Sequence, residues 1–181
     1  MALGCLGMVA AACVLILVGA FLIAFLESGS ATGEMRLRPA ATYAPGTVEF
    51  VGERNLFLVR LPAGGFLALA DLDAANRAAQ GRRCRVQLAA GGTADNDALI
   101  SRYDGNFSAD AAGARAVFRE DCDGAVYDIA GKRLDEAGPN LDRYAVIVDS
   151  SNRVVVDLSK RTCSEAAEGE TFHAVDCRLP R

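Results

Sequence analysis

The sequence predicts an all-β fold, a small antiparallel barrel or sandwich, carried behind one N-terminal transmembrane helix. Three observations lead there. Residues 1–26 contain no charged side chain, and the run from 11 to 26 is almost wholly apolar. The rest of the chain is a series of short runs rich in Val, Leu, Phe and Tyr, bounded by Gly, Pro, Asp and Asn, which is the patterning of strands and turns. Helical character is confined to residues 71–79.

About 20 apolar residues suffice to span a bilayer as a helix, so residues 1–26 are expected to form a membrane anchor. A cleaved secretory signal is the competing reading, but a cationic start is missing and no good small-residue cleavage site precedes Glu27. A lipid-attachment signal fares no better, because neither Cys5 nor Cys13 has a lipobox after a basic start. Gly4, Gly7, Ala11, Ala12 and Gly19 punctuate the segment, and close helix–helix approach in lipid uses such small residues. Residues 27–46 contain Gly, Ser, Ala and Pro without sustained periodicity and read as a flexible linker. Residues 47–181 suit one compact domain.

Within that domain, strands are expected at 47–51, 56–61, 66–69, 85–88, 116–118, 125–127, 144–148 and 154–158, with a further one near His173. The segment Asp149-Ser150-Ser151-Asn152-Arg153 has the length of an ordinary hairpin connection. A net charge of −4 without a basic stripe argues against a nucleic-acid partner.

Of six cysteines, Cys84, Cys122, Cys163 and Cys177 lie in the soluble part, an even number with no metal-type Cys-x-x-Cys spacing. That favours disulfides in an oxidising compartment and places the soluble domain on the extracytoplasmic side. Arg36 and Arg38 beside the anchor argue the other way by the positive-inside count; the cysteines carry more weight. Cys163 and Cys177 flank an acidic loop and most simply close it as a disulfide.

Side chains for catalysis are scarce. Asp71, Asp73, Glu120, Asp121 and Asp123 offer hard oxygen ligands of the kind that suit Ca²⁺ or Mg²⁺, but their spacing matches no EF-hand, and a solvated acidic rim is the expectation. His173 is the single histidine and reads as an ordinary surface or packed residue. Asn106-Phe107-Ser108 matches a glycosylation sequon, read as an unmodified loop. With no pocket, nucleophile or cofactor motif in view, no enzymatic role and no catalytic residue are assigned.

The segment from Phe118 to Val146 has a further property. It runs from a strand through Glu120-Asp121-Cys122-Asp123-Gly124-Ala125, a strand ending in Tyr127-Asp128, a Gly131 turn and Gly138-Pro139 to a tyrosine-bearing strand. Upstream, residues 55–69 form an apolar run, a Gly turn and a second apolar run, followed by Ala79-Gln80-Gly81-Arg82-Arg83-Cys84. This frame resembles the Rieske-type [2Fe–2S] family, and in particular the Rieske subunits of cytochrome bc-type complexes, whose ligand motifs read C-T-H-L-G-C and C-P-C-H-G-S. The resemblance spans roughly residues 48–158 and implies that Ala79, Gly81, Glu120 and Asp123 stand at the cluster-ligand positions. A Rieske centre takes two Cys and two His, so no ordinary cluster is expected and the resemblance is to a degenerate member without cofactor. It also implies that Cys84 and Cys122, at the places of the family's bridging pair, form a disulfide. The segment 89–116 is longer than the family's and the proline loop shorter. The implied function is an accessory, structural subunit of a membrane electron-transfer complex, respiratory or photosynthetic, with that complex's other subunits as partners. An active electron carrier with an atypical centre and a stand-alone membrane-tethered binding module are the alternatives.

Overall fold

Strand β3 (Leu56–Arg60) shows how the domain is organised, because its side chains alternate between two cores. Leu56 and Leu58 join one apolar cluster with Tyr43, Ala68, Val154 and Val156. Phe57 and Val59 point to the opposite face and pack with Leu69, Phe118, Tyr127 and Ile129. A strand with both faces buried reads as an unbroken apolar run, as Leu56-Phe57-Leu58-Val59 does.

This computed structural model describes Val18 and residues 33–74, 76, 84–136, 138–166 and 172–177. Residues 1–33 and 34–181 form two separate units. The anchor expected at 1–26 lies outside the described residues apart from Val18, which is helical. Among the described residues no helix is long and apolar enough to cross a membrane.

Around β3 the strands β1 (Glu34–Pro39), β2 (Val48–Val51), β4 (Phe66–Ala70), β8 (Arg143–Val148) and β9 (Arg153–Ala166) form a sheet in the order β1-β9-β8-β4-β3-β2. Strand β10 (Phe172–Asp176) adds to β9. Every pairing is antiparallel, and the sheet curls into a half-barrel. Between β4 and β8 in the chain, β5 (Val86–Ala90), β6 (Ala116–Glu120) and β7 (Val126–Asp128) make a second, three-stranded antiparallel sheet. Its residues Val86, Ala116, Phe118 and Tyr127 share the core of Phe57, Val59 and Leu69. The expected all-β antiparallel class is therefore present, as a half-barrel with a small inserted sheet.

Three expectations need correction. Residues 34–39 belong to the sheet, not to a linker: β1 pairs with β9 through Met35 opposite Val156 and Arg36 opposite Val155. Met35 and Leu37 pack on the Val154 and Val156 core, and Pro39 is tolerated because β1 is an edge strand. Among the described residues of the domain the α-helix is α1 (Ala94–Tyr103), whereas residues 71–74 form bends and a turn and residues 75 and 77–79 of the expected helix lie outside the described residues. Thr93 caps α1 by accepting the Asn96 N–H at 3.3 Å, and Asp95 and Asp97 sit favourably in its first turn. Leu99, Ile100 and Tyr103 then pack against Val117, Val126 and Leu134 on the outer face of the small sheet. Finally, the strand expected at 154–158 continues to Ala166.

The turn after β7 is closed by Asp128, fully buried, whose carboxylate accepts the N–H groups of Ala130 and Lys132 at 2.9 Å and of Ser108 at 2.8 Å. Gly131 completes it at φ 81°, and a Cβ there would lie 3.2 Å from Leu69 and 3.3 Å from Leu141. Gly131→Ala combines a left-handed backbone with an overpacked core, and is expected to destabilise the domain by about 2–4 kcal/mol, read as a lower denaturant midpoint at unchanged slope.

Candidate functional site

Two loops meet at one end of the small sheet, the β4–β5 connection and the β6–β7 turn, and the sequence places its unusual residues on them. Strand β6 ends at Glu120, which is completely buried. Its Oε2 accepts N–H groups from the turn that follows, Cys122 at 2.9 Å, Gly124 at 3.3 Å and Asp123 between them. Gly124, at φ 75°, lets the chain return so that the Glu120 N–H donates to the Ala125 carbonyl at 2.8 Å. Successive N–H groups converging on one anion form a backbone nest; here the anion is the protein's own. The second oxygen, Oε1, is buried without a hydrogen-bond partner.

Cys122, exposed on this turn, is disulfide-bonded to the half-buried Cys84, with the Cα atoms 5.2 Å apart. The crosslink expected from the family resemblance is thus formed. Backbone and side chains lace the same two loops: the Asp121 N–H donates to the Arg85 carbonyl at 3.0 Å, and Gln87 Nε2 to Asp121 Oδ2 at 2.8 Å. Arg85 in turn donates to buried Asp71 at 3.0 Å and lies over the Phe50 ring at 5.3 Å.

The acids expected as a solvated rim divide. Asp121 and Asp123 are exposed, but Asp71, Asp73 and Glu120 are buried. Each buried carboxylate accepts hydrogen bonds: Asp71 from Arg85, Asp73 from the Asn76 backbone and side-chain amides at 2.8 and 2.9 Å, and Glu120 from its turn. Burial without donors would be prohibitive for a carboxylate, so these acids are internal ties. Tyr127 lies close by, fully buried, its hydroxyl unpartnered. Burial pushes its phenol well above the ordinary range, and the negative charges of Asp73, Asp135 and Glu120 add to this against the opposing Arg133 guanidinium.

The remaining candidates are elsewhere. Cys163 is bonded to Cys177, as the sequence suggests, closing the β9–β10 hairpin. His173 stands opposite Glu165 in that hairpin. Asn106 is exposed in a single helical turn, its carbonyl accepting from Lys132 Nζ at 2.9 Å. Ala79 and Gly81 lie outside the described residues.

Would these loops hold an iron–sulfur cluster? The two cysteines are joined to each other, Glu120 uses one oxygen to hold its turn, and Asp123 is an exposed carboxylate. The single imidazole in the sequence is on β10. Such residues do not fit a [2Fe–2S] centre.

Sequence reasoning missed a cleft of about 310 Å³ beside this end, lined by Phe50, Phe57, Arg85, Val86, Gln87 and Leu88. It forms because β2 and β5 are the edge strands of their respective sheets. Only the pairing order reveals that, and no local sequence signal carries it. No protein-family model, curated protein or solved structure matches this chain.

Two outcomes follow from the loop chemistry. A bond between residues 38 apart constrains the unfolded chain by about 4 kcal/mol. Reduction should therefore accelerate amide hydrogen exchange at 84–86 and 121–125 before the β3–β4 ladder responds; uniform acceleration over the domain would refute a local tie. Tyr127→Phe removes a buried hydroxyl that has no partner, so stability in chemical denaturation should be unchanged or raised by up to about 1 kcal/mol.

Proposed function

We propose that this chain is a cluster-less, Rieske-like subunit that is anchored in a membrane and supports an electron-transfer complex structurally. The observation that carries the reading is the Cys84–Cys122 bond. It ties the β4–β5 loop to the β6–β7 turn, at the two bridging positions that the sequence resemblance singles out, in a small sheet inserted between β4 and β8. The described ligand positions hold Glu120 and Asp123, one drawn inward to close its turn and the other exposed. With the loops fastened by sulfur, the domain keeps the shape of its loop end without a metal centre. Its role is then to fit against neighbours, with no catalytic step of its own.

Membrane attachment rests on the uncharged apolar segment 1–26, and the small residues Gly4, Gly7, Ala11, Ala12 and Gly19 suit packing against other transmembrane helices. Two disulfides among the described residues suit an extracytoplasmic domain. A second reading, a membrane-tethered binding module, draws support from the apolar cleft between Phe50, Phe57 and Leu88. An electron carrier with an atypical centre lacks ligands: two linked cysteines cannot supply the four protein ligands of an ordinary cluster.

Solubilisation in mild detergent followed by affinity purification of the full chain distinguishes these. The structural-subunit reading expects stoichiometric co-purification with integral membrane redox proteins, and neither iron nor sulfide in this chain. Isolation of the chain alone, in a single monodisperse peak, would favour the binding module. Stoichiometric iron and sulfide in protein prepared without chelators would restore the electron carrier.

A further inference from the structure

We propose that two-electron reduction of the Cys84–Cys122 bond converts this loop pair into a thiolate–carboxylate site for a zinc-class divalent cation. The two sulfurs and a carboxylate oxygen of Glu120 lie within 4.8 Å of one another. A tetrahedral zinc site with Zn–S bonds of about 2.3 Å puts its ligand atoms about 3.5–3.8 Å apart. Parting of the sulfurs from bonding distance is therefore most of the movement required.

Glu120 is the reason to expect a ligand there and not merely a pair of thiols. Its side chain is fully buried, Oε2 is fixed by the N–H groups of the turn, and Oε1 has no partner. A ligating carboxylate is characteristically oriented by hydrogen bonds to its other oxygen, and an unsatisfied buried acceptor is otherwise a cost to the fold. A cation held by the two thiolates and this carboxylate would give the group the partner that its turn leaves wanting. Asp142, Cys163 and Cys177 form the other such cluster among the described residues. There the carboxylate is already engaged, Asp142 Oδ2 accepting from Arg161 at 2.6 and 3.1 Å, so the second disulfide carries no equivalent site.

The chemistry balances with a dithiol reductant. Its thiolate attacks the exposed Cys122 sulfur, its second thiol resolves the mixed disulfide, and it leaves as its own disulfide. Two electrons pass to the cystine, and the two protons of the dithiol end on Cys84 and Cys122. Zinc then displaces both protons to solvent, leaving two thiolates and Glu120 as ligands with water in the fourth position. The site is off while the bond is intact. The inference does not depend on the structural-subunit reading.

The test uses the full chain in detergent, reduced with a phosphine so that no dithiol competes for metal. Stoichiometric Zn²⁺ should slow alkylation of Cys84 and Cys122 by an order of magnitude or more, read by peptide mass spectrometry, with Cys163 and Cys177 as internal controls. Co²⁺ should give a thiolate charge-transfer band in the reduced protein and none in the oxidised protein. Glu120→Gln, which keeps an acceptor for the turn, should weaken Zn²⁺ binding by an order of magnitude or more. Equal alkylation with and without zinc, metal binding by the oxidised protein, or full affinity in Glu120→Gln would each overturn the proposal.

Discussion

The Glu120 carboxylate takes N–H bonds from the three residues that follow Asp121, and the β6–β7 turn has its shape because of them. Sealing an ion from water costs several kcal/mol, and each hydrogen bond to a charged acceptor returns about 1.5–3 kcal/mol. Only a turn that aims several N–H groups at one point can therefore keep this residue inside. That requirement sets the backbone at Cys122, and the backbone there brings its sulfur to Cys84. The covalent link at this end of the domain depends on an electrostatic one.

The same device recurs away from the loop end. Asp128 closes the turn after β7 and holds the Ser108 amide from a distant segment. Asp142, fully buried, takes two bonds from Arg161 on β9, while its own carbonyl accepts the Ala70 N–H at 2.9 Å, so one residue joins β4, β8 and β9. Asp71 does likewise for the two sheets, accepting from Arg85 by its side chain and from the Val86 N–H by its carbonyl. These aspartates occupy the places where strands leave one sheet for the other and backbone groups run short of ladder partners. Their internal bonds replace the water that such junctions would otherwise need.

Short apolar runs ended by turn residues made most of the strands legible, as at 48–51, 56–60, 66–70 and 143–148, and the turns at Gly131 and Asp149 follow from residue type. Strand β1 carries a short alternation, Met35 and Leu37 against Arg36 and Arg38, but it is flanked by Gly, Ser and Pro that read as linker, and its pairing partner β9 lies more than a hundred residues later. Helix α1 did carry a signal, the Thr93 cap with Asp95 and Asp97 behind it, masked by a Gly- and Ala-rich setting that reads as loop. The buried acids were illegible for a deeper reason. Whether an aspartate lies in solvent or in a nest depends on donors supplied by residues distant in sequence, as Asp71 and Arg85 illustrate. The Cys163–Cys177 pair was legible from the short loop it flanks and the Cys84–Cys122 pair from a resemblance of motif spacing, whereas the unpartnered Glu120 oxygen depends on how the following turn folds back.

The long strand β9 has a mechanical meaning. Its first half pairs with β1 and its second half with β10, and the register with β8 shifts between Tyr144 and Ala145, so β9 is two ladders joined at an irregularity. Tension transmitted along the chain from residue 33 arrives first at β1, an edge strand whose partner in the sheet is β9. Peeling β1 withdraws Met35 and Leu37 from one core but leaves the Phe57, Phe118 and Tyr127 core and both disulfides in place. Under such a load β1 is the strand expected to yield first, a mechanical fuse that would spare the loop end.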